Sequence, residues 1–213
     1  MGLFVLYMAI VLAENQGDAD WFFDDFEARI ERVNDGDLVF LAEQPAEKVH
    51  FHSNRLLIND VSLETGWAGV IQCHENLDAL DNVQITFGEN TIRKLEVISY
   101  SNISRAWVDR SNVELEGVQK GAKLCLRLES RVLHFGEGKQ ISVRNGPYMR
   151  KFLDGYYPMH VYLEVNYPCR LMRFIKTSKQ PQPGFSVSSK ACAVMVDAWF
   201  EGRLHTELLF ERL

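Results

Sequence analysis

The sequence predicts an all-β protein: an antiparallel β-sandwich of about ten strands carrying one N-terminal amphipathic helix. Three observations lead there. Beyond Gly36 the apolar residues recur at every second position, hairpin-sized turns separate the runs, and no second long helical pattern interrupts them. With 213 residues, 46% hydrophobic and 24% charged, the chain has enough apolar material for a substantial core, and its composition excludes intrinsic disorder.

The elements follow in chain order. Gly2 to Ala13, GLFVLYMAIVLA, is too short to span a membrane. It ends Val11-Leu12-Ala13, with small or modest side chains where signal peptidase cuts, although no Lys or Arg precedes the apolar run. Residues 1–13 are therefore read as a signal peptide shortened at its front, with a buried N-terminal strand as the alternative. The mature chain, 14–213, is then one β-sandwich domain without a transmembrane span; a split into two β domains near 145–158 is the rival division.

The helix covers 18–33, DADWFFDDFEARIERV. Phe22, Phe26, Ile30 and Val33 share one stripe, acids fill the first turns, and Arg29 and Arg32 lie near the end, which suits the helix dipole. Alternation of period two then appears at Val83-Ile85-Phe87, Leu124-Leu126-Leu128, Val161-Leu163-Val165, Val194-Val196-Ala198-Phe200 and Leu204-Thr206-Leu208-Phe210. Further strand-like runs lie near 38–41, 47–52, 67–73, 92–100, 106–115 and 140–144. Gly88-Glu89-Asn90, Gly136-Glu137-Gly138 and Glu201-Gly202 supply turns. Asn145 to Pro158 reads as a long connection, with one helical turn at Met149 to Leu153.

Four cysteines in an exported chain imply two disulfides, Cys73–Cys125 and Cys169–Cys192 being preferred because near-sequence pairs close shorter loops. The compartment would be periplasmic or extracellular. No GxSxG, HExxH, P-loop, GxGxxG or CxxC pattern is present, so nothing in the sequence indicates catalysis.

Two groups of residues could carry function. His50 and His52 sit two apart on a strand and project to one face; with His74 they would begin a zinc or copper site, whereas the plainer reading leaves them on the wet face of a sheet. The second group is a charge asymmetry. Segment 139–179 holds Lys139, Arg144, Arg150, Lys151, Arg170, Arg173, Lys176 and Lys179 against Asp154 and Glu164, a balance of +6 in a chain of −6. It also holds Tyr148, Tyr156, Tyr157, Tyr162 and Tyr167. Arg150, Lys151, Tyr156, Tyr157 and Tyr148 are the candidate ligand-binding residues.

These features predict an exported, non-catalytic binding or adaptor module, without a cofactor, for an anionic partner: a glycan, a lipid head group or an acidic protein surface. The overall negative charge argues against nucleic acid. The alternatives are a metal-dependent enzyme or metal-handling protein built on His50, His52 and His74, and a structural subunit of a cell-envelope assembly. The basic segment has a second explanation, since residues 14–60 carry a balance of −8 and could neutralise it internally.

Overall fold

The computed structural model describes residues 36–152 and 155–213. The expected signal peptide at 1–13 and helix at 18–33 lie outside the described residues. The strands are β1 (Val39–Phe40), β2 (His50–Leu57), β3 (Trp67–Leu77), β4 (Asn82–Thr86), β5 (Ile92–Asp109), β6 (Asn112–Arg131), β7 (Leu133–Phe135), β8 (Gln140–Tyr148), β9 (Lys151–Phe152), β10 (Gly155–Tyr156), β11 (Met159–Asn166), β12 (Met172–Thr177), β13 (Phe185–Lys190), β14 (Ala193–Glu201) and β15 (Leu204–Arg212). One helical turn, α1 (Ser62–Thr65), joins β2 to β3. The described chain is thus nearly all β. No helix among the described residues is long and apolar enough to cross a membrane.

Nine strands form one sheet in the order β1-β14-β11-β2-β3-β6-β4, with β13 also on β14 and β5 along the free side of β6. A second sheet runs β12-β15-β8-β7, and β9 and β10 make a small hairpin of their own. A single apolar core draws on both larger sheets: Leu56, Val70, Leu126 and Leu163 from the first, Ile141, Val143, Leu208 and Phe210 from the second, all nearly or fully buried.

The structure corrects the sequence reading at four points. The strands number fifteen among the described residues, not about ten. β2 and β11 pair in parallel, Met159 opposite His50 through Asn166 opposite Leu57, so the large sheet is not purely antiparallel. The run expected at 106–115 straddles a hairpin, because Asp109 pairs with Asn112 across a turn at Arg110-Ser111 that contains neither Gly nor Pro. Arg110 takes the left-handed conformation there, φ 56°. Finally, Met149 and Arg150 are not helical and Lys151–Phe152 form β9, in place of the expected helical turn; Leu153 lies outside the described residues.

Both disulfides have the expected pairing, Cys73–Cys125 and Cys169–Cys192. Cys73 and Cys125 stand directly opposite each other on β3 and β6, with Cα atoms 4.1 Å apart. Two disulfides and no free cysteine among the described residues fit an oxidising environment.

Candidate functional site

The inner face of the large sheet is apolar along most of its strands. Met159, Val161, Leu163 and Val165 of β11 and Val194, Val196, Ala198 and Phe200 of β14 all point inward and are buried. The pattern breaks at β2 and β3. There His52 pairs with His74 and Asn54 with Gln72, so four polar side chains form a block on the inner face, flanked by Leu56 and Val70. All four are buried.

The second sheet answers this block with polar groups of its own. Leu204 of β15 pairs with Tyr148 and Thr206 with Asn145, which leaves one extra residue in β8, at Gly146-Pro147. A bulge of this kind turns two side chains three residues apart to the same face. Asn145 and Tyr148 therefore both reach inward. Gly146 makes this possible: its φ is +105°, and a Cβ there would lie 2.7 Å from the Leu204 carbonyl oxygen.

Hydrogen bonds fix the direction of the network. Asn54 Nδ2 donates to Tyr148 Oη at 2.9 Å and to Asn145 Oδ1 at 3.2 Å. The Tyr148 hydroxyl donates to Asn145 Oδ1, and Thr206 Oγ1 donates to the Asn145 carbonyl at 3.2 Å. His52 Nε2 faces Asn54 Oδ1 at 3.1 Å, so it carries the proton and donates, leaving the lone pair on Nδ1. Gln72 Nε2 lies 2.8 Å from His74 Nε2 and donates to it. The His74 proton then sits on Nδ1, which donates to His50 Nε2 at 2.9 Å.

Burial sets the protonation. It pulls His50 down to about 4, with Asp78 opposing and Arg150 reinforcing the change. It pulls His52 down to about 3, with His50 reinforcing and the Asn54 bond opposing. His74 is lowered well below the ordinary range, first by burial and then by its two histidine neighbours. Burial likewise raises the Tyr148 phenol. At neutral pH the cluster is three neutral imidazoles.

The sequence expected His50, His52 and His74 together, and the structure brings them together: ring centroids are 4.4 Å apart for His52–His74 and 5.2 Å for His50–His74. They face the core, however, rather than solvent. His50 Nε2, His52 Nε2 and both nitrogens of His74 are engaged with one another or with amides; among the described residues no group of three or more His, Cys, Asp or Glu side chains is arranged to hold a metal ion. Sequence reasoning missed Asn54, Gln72, Asn145 and Thr206. The signal was there, since Asn54 and Gln72 share the parity of Leu56 and Val70.

The polar block lies in a cleft of about 1090 Å³. One wall is apolar and only half covered: Val83 and Ile85 of β4, then Phe87 and Ile92. Arg131, Arg144, Arg150 and Lys151 line the same cleft, against the acids Asp78 and Glu207.

The basic segment is knitted into the rest of the molecule. Arg150 grips both carboxylate oxygens of Asp78, at 2.6 and 3.2 Å, with the Phe152 and Tyr157 rings beneath its guanidinium. Arg144 pairs with Glu207, Arg170 with Asp60 and Arg173 with Glu211. Tyr156 is buried, and its hydroxyl accepts from Arg203 Nε at 2.6 Å. Lys151 stands over the Tyr156 ring. Thus Arg150, Lys151 and Tyr148 line the cleft, whereas Tyr156, in β10, and Tyr157, which follows it, lie outside the lining and meet Lys151 and Arg150 respectively.

No known family's sequence profile matches the chain, and no curated protein matches it. Among solved structures it is similar to a two-domain M1 zinc metallopeptidase bound to L-tryptophan, at 10% identity and a TM-score of 0.38. The match covers 84% of this chain and 44% of the metallopeptidase chain; at that distance the likeness says nothing about the activity of this one.

Proposed function

We propose that the protein is a periplasmic or extracellular β-sandwich binding module, and that its cleft holds a small amphiphile with an acidic head group. The observation that carries this reading is the pairing of a half-covered apolar wall with a basic rim. Val83, Ile85 and Phe87 keep apolar surface open to the cleft, surface that a ligand's hydrocarbon part would remove from water at about 25 cal/mol per Å². The four bases outnumber the two acids in the lining, in a chain whose net charge is −6. The local potential therefore runs against that of the whole molecule and favours an anion. Apolar lining with a few convergent polar groups is the ordinary make-up of a small-ligand site.

Dodecanoate below its micellar concentration tests this, titrated into the full chain with disulfides intact. Dodecyl maltoside and dodecyltrimethylammonium serve as the neutral and cationic comparisons. The expected result is saturable binding of dodecanoate near one per chain, weaker binding of the other two, and several-fold loss with Ile85→Asp or with Lys151→Ala and Arg131→Ala together. Equal binding of all three probes, or none of dodecanoate, overturns the reading.

A further inference from the structure

The cleft lies on one face of β2 and β11, with His50, His52 and Met159 in its lining; strand alternation sends Phe51 and His160 to the other face. There Phe51, His160 and Trp199 stand in register across β2, β11 and β14. They make one row of half-buried rings: Phe51 lies 4.6 Å from His160 at 33°, and His160 is stacked on Trp199 at 4.0 Å and 12°. We propose that this row is the floor of a second binding site, for a neutral saccharide, separate from the amphiphile cleft behind it.

The connection from β1 to β2 supplies a wall. In the sheet order β1-β14-β11-β2 it has to pass both β14 and β11, and the Leu41 N–H ties its start to the Trp199 carbonyl at 2.8 Å. Its residues Gln44 to Lys48 and the three rings enclose a hollow of about 540 Å³. That lies within the roughly 300–1,000 Å³ of small-ligand sites. Glu75 of β3 and Lys123 of β6 continue the row of rings beyond Phe51 and line the same hollow with Asn76.

Charge selects the class of ligand. The lining holds two acids, Glu47 and Glu75, and two bases, Lys48 and Lys123. Glu75 and Lys123 already pair at 2.7 Å, and His160 Nε2 donates to Asp197 at 3.2 Å. Unlike the inner cleft, the hollow has no net charge with which to draw an anion or a cation from water. It offers donors and acceptors together: the Gln44 and Asn76 amides, the Glu75 carboxylate and the Lys123 ammonium, with Nδ1 of the neutral His160 ring as a further acceptor. A hydroxyl both donates and accepts, so a polyhydroxylated molecule can use this mixed set. A wholly apolar ligand would leave it unpaired. A sugar ring also carries C–H groups on its faces, which cover the apolar surface of Phe51 and Trp199; an acyclic polyol has the hydroxyls without that flat face.

Cellobiose, maltose and N,N′-diacetylchitobiose are the probes, added to the full disulfide-bonded chain. Sorbitol, glycine betaine and the hyaluronan disaccharide serve as the acyclic, zwitterionic and anionic comparisons. Saturation-transfer NMR should show contact with the C–H protons of at least one probe, and tryptophan fluorescence should saturate near one per chain; the comparisons should bind clearly more weakly. Trp199→Ala should cut affinity about tenfold, as truncation of a central aromatic contact does. Gln44→Ala, on the exposed connection, should cut it several-fold while circular dichroism and melting stay those of the parent, which separates lost binding from lost folding. Failure of all three probes to bind overturns the proposal. So does equal binding of any comparison, or full binding by Trp199→Ala. Ile85→Asp should leave saccharide binding unchanged, and Trp199→Ala should leave dodecanoate binding unchanged, so this proposal and the amphiphile reading fail separately. Loss of saccharide binding in Ile85→Asp would place the sugar in the inner cleft and overturn the second site.

Discussion

The buried histidines make stability depend on pH in a way their sequence spacing alone would not show. Each has a native pKa below the 6.5 of an ordinary histidine, so the unfolded chain takes up protons that the native state refuses. The contribution of each to stability is complete above about pH 6.5 and is lost as pH falls toward about 4 for His50 and about 3 for His52. In metal-free buffer, urea melts at pH 7.5 and 5 should differ by about 1–2 kcal/mol per histidine. Glu129, held low by Lys94 and Arg93, and Glu207, held low by Arg144, lose their contributions only below the ordinary carboxylate range, whereas His134, lowered by burial and then by Arg144 and Arg131, adds a loss of the same sign in this window. A flat profile between pH 5 and 7 would mean that the histidines are solvated. A second contrast concerns the arginines. Arg150 and Asp78 keep about a quarter of their side-chain surface, whereas Arg170 and Asp60 keep well over half. Arg150→Ala should cost about 1–3 kcal/mol because it strands a half-buried carboxylate. Arg170→Ala should stay within about 1 kcal/mol. Equal effects in urea melts would show that Arg150 is as loosely held as a surface residue. Parity along β2 could have assigned the histidines inward, but Val49 and Phe51 gave the opposite answer because an aromatic row covers that outer face: Phe51 against His160, and His160 stacked on Trp199 at 4.0 Å.

Among the elements, those with a long period-two run were legible and those set by bulges or pairing partners were not. The apolar parity of Leu124-Leu126-Leu128 or Val194-Val196-Ala198 is local, and the structure reproduces it. Strands of two residues such as β9 and β10 carry too little pattern to be seen, and the parallel pairing of β2 with β11 joins residues over a hundred positions apart, which no local signal records. The bulge in β8 is the instructive case. Gly146-Pro147 reads as a chain breaker, yet it lies inside a strand and aims Asn145 and Tyr148 at Asn54. Gly146→Ala should therefore destabilise by about 1–3 kcal/mol, from its positive φ and the close Leu204 carbonyl. An alanine variant as stable as the parent in thermal melts would mean that the bulge is relaxed. The disulfides staple elements by a different route. Cys73–Cys125 closes a separation of 52 residues and Cys169–Cys192 one of 23. In the chain-entropy argument their removal costs about 4 and about 3.5 kcal/mol respectively. Paired Cys→Ser variants should lose stability in that order, and thiol titration of the denatured, unreduced parent should find no free thiol.

At the scale of the whole molecule, the question is whether the two sheets are one cooperative unit. Their contact is not only apolar. Leu204, Leu208 and Phe210 of β15 are almost wholly buried in the same core as Leu56 and Leu163, and the Asn54 amide bonds to both Asn145 and Tyr148 across the gap. Peeling the four-stranded sheet away would expose that core and strand Asn54, Asn145 and Tyr148 together, each unpaired buried group costing about 1–3 kcal/mol. Partial opening should therefore be nearly as costly as global unfolding. The chain supplies separate reporters for the two sheets. Among the described residues the tryptophans Trp67, Trp107 and Trp199 all sit on the nine-stranded sheet. The amides of β15 between Leu204 and Phe210 report the other. Tryptophan fluorescence in urea and native-state hydrogen exchange of the β15 amides should return the same free energy, within about 1 kcal/mol, in a two-state molecule. Tyr148→Phe, which removes the polar tie but keeps the ring, should lower both values equally. If instead the β15 amides exchange at a clearly lower free energy, the four-stranded sheet is an independently opening layer, and the polar block between the sheets holds the site in place without holding the two sheets together.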